Sequence, residues 1–146
     1  MNSVHKASLN LIQLAALVVL LSGCGGTGIQ TASVTGTITI NGQPTQGIEL
    51  KFVSKEKMRP SVALTDAQGR YKAEFVSNQS GVVLGPCVVQ FSVFRGGNYM
   101  TNYLPAKFNQ NAENTPEFNL DIPAKGIVFN YDIKHDGKIP PYTPEG

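Results

Sequence analysis

From Ala32 to Ile133 apolar and polar residues alternate with a period of two, broken at short intervals by turn residues. No stretch carries the period of an amphipathic helix, so the pattern predicts an all-β domain. Val34, Gly36, Ile38 and Ile40 share one face of a first strand, with Thr35, Thr37 and Thr39 on the other, and Asn41-Gly42 closes it as a hairpin signal. Ile48, Leu50 and Phe52 alternate with Glu49 and Lys51 in a second strand whose outer face is charged. Lys55 to Pro60 is a polar loop. Val62 and Leu64 mark a short third strand, closed by Asp66-Ala67-Gln68-Gly69, where the aspartate caps the turn and Gly69 takes positive φ. Tyr71, Ala73 and Phe75 carry a fourth.

Gly85-Pro86 leads into the most apolar strand, with Cys87, Val89, Phe91 and Val93 on one face and Val88 and Phe94 on the other. That strand is expected at the centre, with Cys87 a buried free thiol. The irregular section Arg95 to Thr115 is too long for a hairpin turn. Phe118, Leu120 and Ile122 alternate next, Pro123-Ala124-Lys125-Gly126 turns the chain, and Ile127, Phe129, Tyr131 and Ile133 form the last strand. About seven strands in about 100 residues fit two antiparallel sheets packed as an immunoglobulin-like or transthyretin-like sandwich, with a closed barrel as the rival. Residues 32–133 make one domain, and 134–146, with Pro140, Pro141 and Pro144, read as an exposed, partly extended tail.

The first 23 residues belong to a different class of segment. Lys6 precedes an apolar stretch that begins at Leu9 and is unbroken from Leu14 to Leu21. It is well short of the roughly 20 residues that span a bilayer, so it reads as a removable targeting peptide. Leu21-Ser22-Gly23-Cys24 resembles the bacterial lipobox, and the resemblance implies cleavage before Cys24 and lipid on its thiol and new amine. The plainer alternative is secretory cleavage that leaves Cys24 a free thiol. Two or three acyl chains would make anchoring effectively permanent. Residues 24–31 then form the lipidated cysteine and a flexible tether, whose seven residues after Cys24 average about 15 Å end to end. The expected location is the cell envelope, on its periplasmic or outer-membrane face, with the domain close to the membrane.

Composition narrows the chemistry. Twelve Lys and Arg against ten Asp and Glu give a formal charge of +2 over 146 residues, too little for a nucleic-acid surface built on bulk charge. Two cysteines and two histidines exclude a disulfide-dense scaffold and an unaided zinc site. After processing His135 is the one histidine left, beside a Pro-rich tail, which is poor ground for a rigid catalytic base. Asp66, Asp132 and Asp136 lack the spacing of a calcium loop. Glu49, Glu74, Glu113 and Glu117 could meet as paired carboxylates, although alternation turns the first two outward. The expectation is a chain with no catalytic residues, metal or cofactor. The section from Arg95 to Thr115 holds Arg95, Tyr99, Met100, Tyr103 and Phe108. Arg95, Tyr99, Tyr103 and Phe108 are candidate partner-binding residues, and the competing reading folds these rings over an open end of the sandwich.

Three segments together resemble the carboxypeptidase regulatory-like, transthyretin-like family of β-sandwich domains. They are Val34-Thr35-Gly36-Thr37-Ile38 with Asn41-Gly42-Gln43-Pro44, then Thr65-Asp66-Ala67-Gln68-Gly69-Arg70-Tyr71, then Leu84-Gly85-Pro86 before a Val-rich strand. Leu104-Pro105-Ala106-Lys107-Phe108-Asn109 further resembles small lipoproteins of planctomycete bacteria that carry this domain. Cys87 departs from the pattern, which commonly has an aromatic or polar residue after the glycine turn. The resemblance implies a non-catalytic accessory, adhesive or spacer module. The expected protein is therefore a monomeric, lipid-anchored, non-enzymatic module, with the membrane as one partner and an envelope protein or glycan as another. The alternatives are a carbohydrate-binding or accessory module of an envelope enzyme system and, third, a hydrolase.

Overall fold

The computed structural model describes residues 28–56, 58–76, 79–96 and 101–143, and among them the alternating segments form thirteen short strands. One sheet has six strands in the order β11 (Asn119–Ile122), β10 (Gly85–Val93), β4 (Ile48–Ser54), β5 (Ser61–Leu64), β7 (Glu74–Val76) and β8 (Gln79–Ser80). Its neighbours are all antiparallel. The second sheet is built around β2 (Val34–Ile40), flanked by β12 (Ile127–Val128) and β13 (Tyr131–Ile133) and by β3 (Gln43–Pro44) and β6 (Arg70–Lys72). A small ladder joins β1 (Thr31–Ala32) to β9 (Val82–Val83). The fold is an all-β sandwich, with Val34, Ile38 and Ile133 of one sheet and Ile48, Leu50, Phe52, Val89, Phe91 and Val93 of the other in one continuous core.

β10, expected at the centre, is an interior strand, second in the six-strand order beside the edge strand β11. It pairs with β4 over seven residues, from Cys87 opposite Ser54 to Val93 opposite Ile48, and with β11 on its other side. Cys87, Val89, Phe91 and Val93 are fully buried, and Cys87 is a free thiol. The Asn41-Gly42 hairpin also forms, with Asn41 in the left-handed region at φ 51°, matching the turn that this dipeptide favours. Asp66 caps its turn by accepting from the backbone N–H groups of Gln68 and Arg70, both at 2.9 Å.

Four local expectations are corrected. β12 and β13 run parallel to β2, because all three begin at the same end of the sandwich and run the same way. The stretch 127–133 keeps one register along β2 but is interrupted at Asn130, whose side-chain Oδ1 accepts the Thr37 N–H at 2.8 Å in place of a backbone carbonyl. In β5 the inward residues are Ser61 and Ala63, while Val62 and Leu64 point outward, because their register sets them opposite Lys51 and Glu49. Residues 29–31, expected within the flexible tether, are instead held by the fold. Thr31 and Ala32 pair with β9, the Ile29 carbonyl accepts Gln79 Nε2 at 2.9 Å, and the Gln30 carbonyl accepts the Leu84 N–H at 3.2 Å.

The registers define two ends. Val34 beside Ile127, and Gly85 opposite Ile122, mark a proximal end where β1 brings the chain in. Ile40 beside Ile133, and Ile48 opposite Val93, mark the distal end. Six residue steps of β2 separate the two, about 20 Å at the usual strand rise.

Candidate functional site

β10 ends at the distal end, and Arg95, two residues beyond it, turns its side chain inward and is only 7% exposed. Burying a guanidinium is costly unless its donors are satisfied. Here Nη1 donates to the carbonyls of Gly47 (2.9 Å) and Phe94 (3.0 Å), Nη2 to Gln46 (2.9 Å) and Nε to Pro140 (3.0 Å). The partners are backbone carbonyls from three separate segments, and the ion pairs of the described residues lie elsewhere. Desolvation pulls the Arg95 pKa down from its ordinary value, opposed by the nearby Tyr142 and Tyr103 hydroxyls. Its charge is retained throughout the physiological range.

The tail 134–143 is exposed at most of its residues, as expected, and is tied to the sandwich, which the sequence did not foresee. The guanidinium draws in the Pro140 carbonyl, Ile139 packs against the core, and the Tyr142 ring lies over Gly47, where a Cβ would come within 2.3 Å of it. Asn41 holds the start of the tail, its amide donating to the His135 carbonyl at 2.5 Å and accepting the His135 N–H at 3.2 Å. Between the β2–β3 turn and this strap lies an open cleft of about 490 Å³, walled by Asn41, Thr45, Gln46, Arg95, His135 and Tyr142 over an apolar floor of Ile40, Ile139 and Pro141. Such walls offer amide, hydroxyl and imidazole hydrogen-bonding groups beside aliphatic and aromatic surface.

A second polar cluster holds the adjacent turn. Asp132 accepts from the Thr39 hydroxyl (2.6 Å), the Gly42 N–H (2.7 Å) and the Lys134 ammonium. The Lys134 bond first, and then those of Thr39 and Gly42, hold its carboxyl down at about 2. All three donors belong to the sandwich and its tail, so the carboxylate acts as a structural pin.

The candidate partner-binding residues separate. Phe108 is buried in the core, which corrects its reading as a partner surface, while Arg95 borders the cleft but is buried and spends its donors on the domain's own carbonyls. Tyr103 is half-buried, packs against the core and donates its backbone N–H to the Val93 carbonyl at 2.9 Å. Tyr99 and Cys24 lie outside the described residues. The section 101–118 closes the side of the sandwich between β10 and β13, and Leu104, Phe108, Ala112 and Phe118 join the main core. Phe118 meets Phe91 at 5.2 Å and Tyr131 at 5.0 Å, both edge to face, a favoured aromatic geometry. Sequence reasoning missed the cleft, its walls in the β2–β3 turn and the clamped tail. The one available signal was a tyrosine within a proline-rich tail.

Among the described residues no group of three or more His, Cys, Asp or Glu could hold a metal ion, and no helix is long and apolar enough to cross a membrane. The Ser61 hydroxyl is buried without a hydrogen-bond partner. Comparison with family models, curated proteins and solved structures finds no match to this chain.

Proposed function

We propose that this chain is a lipid-anchored, non-enzymatic module of a bacterial cell envelope, which carries its distal cleft away from the membrane for an envelope partner. The observation that carries the reading is the short distance in sequence between the lipobox cysteine and the fold, since Ile29, five residues after Cys24, is already held by Gln79. A domain joined so closely to its lipid gains nothing from a long linker and suits a role near the membrane surface. A non-catalytic role is supported by how the polar side chains are spent. Arg95, Asp66, Asp132 and Tyr71 each engage backbone groups of the domain itself. The order of turns from Val34 to Pro86 favours the carboxypeptidase regulatory-like family, whose members serve as accessory or spacer modules.

A carbohydrate ligand is the second reading, favoured by the cleft, whose lining combines Asn41 and Gln46 with Tyr142. Two measurements test these readings. Mass spectrometry of the membrane-extracted protein is expected to find diacylglycerol on Cys24, and the Cys24→Ala variant is expected in the soluble fraction. An unmodified Cys24, or a Cys24→Ala variant that stays fully in the membrane, refutes lipid anchoring. Binding on a glycan array that disappears with Gln46→Ala, at unchanged melting temperature, selects the carbohydrate reading.

A further inference from the structure

We infer that the proximal end of the sandwich is a bilayer-contact surface that fixes the orientation of the domain, an inference that rests on lipid anchoring at Cys24. The argument starts from chain length. Five residue steps separate Cys24 from Ile29, a reach of at most about 17 Å when fully extended. Ile29 is fixed at the proximal end, through Gln79 and the β1–β9 ladder. The distal end lies a further strand length away, about 20 Å along β2. A lipid on Cys24 therefore keeps Ile29 within about 17 Å of the membrane, with the cleft a strand length farther along the domain.

That end carries the side chains a bilayer surface would take. Five large hydrophobic residues are exposed among those described, and three of them lie at the proximal end: Ile29 at 42%, Val76 at 36% and Val128 at 71%. Their positions follow from register. Val76 pairs with Gln79, the residue that holds Ile29, and Val128 pairs with Thr35 at the start of β2. They come from three separated segments, so local sequence alone does not explain their appearance at one end. Exposed Lys55, Arg59 and Lys125 lie at the same end, where their aliphatic stems can lie along the interface while their ammonium and guanidinium groups meet phosphates. Glu56 and Asp121 share it, so the contact is driven by apolar side chains and depends little on the charge of the lipids.

The test uses the full-length lipidated protein, extracted and reconstituted into vesicles of phosphatidylethanolamine and phosphatidylglycerol. Single probes are placed through Val76→Cys, Val128→Cys and, as the distal control, Thr45→Cys, and each carries an environment-sensitive fluorophore. Lipids spin-labelled just below the headgroup are expected to quench the probes at 76 and 128 at least threefold more than the probe at 45, with little change when phosphatidylglycerol is omitted. Equal quenching at all three sites, with lipid on Cys24 confirmed by mass, overturns the orientation while leaving lipid anchoring intact. Probes at 76 and 128 that are unquenched, with the unlabelled Val76→Cys or Val128→Cys variant forming disulfides between molecules on mild oxidation, mean that a second copy covers this end, which also overturns it. A Cys24 without lipid overturns the anchoring and this inference together.

Discussion

The guanidinium of Arg95 lies 5.5 Å from the centre of the Tyr142 ring, which joins the end of β10 to the C-terminal tail. The same guanidinium bonds the carbonyls of Gln46 and Gly47, of Phe94 and of Pro140, so one side chain ties three segments of the distal end together. Arg95→Ala leaves those carbonyls without their donor and is expected to cost about 3 kcal/mol, measured by chemical denaturation. Arg95→Lys should recover only part, because an ammonium lacks the planar fork that reaches several carbonyls at once. An Arg95→Ala variant within about 0.5 kcal/mol of wild type, the range of an ordinary surface change, contradicts the clamp.

Alternation exposed the strands because a half-buried sheet imposes a period of two on the sequence, and β4 follows it residue by residue. The interior place of β10 was legible from its composition, since Cys87, Val89, Phe91 and Val93 line one face and Val88 adds an apolar residue to the other. The parallel pairing of β12 and β13 was not legible, because alternation fixes which face a residue takes and leaves strand direction open. Arg95 misled for a physical reason. A lone arginine in a long loop reads as a surface anchor, and only the tertiary approach of the Gln46, Gly47 and Pro140 carbonyls makes its burial tolerable. The cleft depends on that approach as well, so no local motif announces it.

Asp132 gives a prediction about acid stability. Its carboxyl is held at about 2, below its ordinary value of 3.8, first by Lys134 and then by Thr39 and Gly42. The unfolded chain therefore takes up this proton before the folded protein does. The contribution of Asp132 is complete above the ordinary carboxylate range and is lost as pH falls from about 4 toward about 2. Asp132→Asn is expected to lower the melting temperature at pH 7 and to flatten its decline across that window. Parallel pH profiles for variant and wild type would contradict the assignment.

Cys87 is fully buried, and burial first, with the Asp121 charge adding to it and Lys55 opposing, pushes its thiol up to about 11. The reactive thiolate is thus scarce near neutral pH, and the thiol is screened from solvent. With Cys24 replaced by alanine so that Cys87 is the one remaining thiol, an aromatic disulfide reagent should release no chromophore from the native protein and one equivalent after denaturation. Stoichiometric reaction within minutes in the native state would contradict the buried position.

Gly36 and Tyr71 stand opposite each other across β2 and β6, and the missing side chain of one makes room for the reach of the other. The Tyr71 hydroxyl donates to the Phe129 carbonyl at 2.8 Å, and a Cβ on Gly36 would come within 1.9 Å of that carbonyl oxygen. Backbone cannot yield cheaply, so Gly36→Ala must displace the 127–133 segment and should cost about 3 kcal/mol. Tyr71→Phe keeps the ring and removes only the donor, at about 1 kcal/mol for a part-buried hydrogen bond. The two changes act on one link: once Gly36→Ala has pushed Phe129 away, the Tyr71 hydroxyl has little left to lose. The double variant should therefore be less destabilised than the sum of the singles, by roughly 1 kcal/mol. Strict additivity would mean that Tyr71 and Gly36 stabilise the second sheet independently.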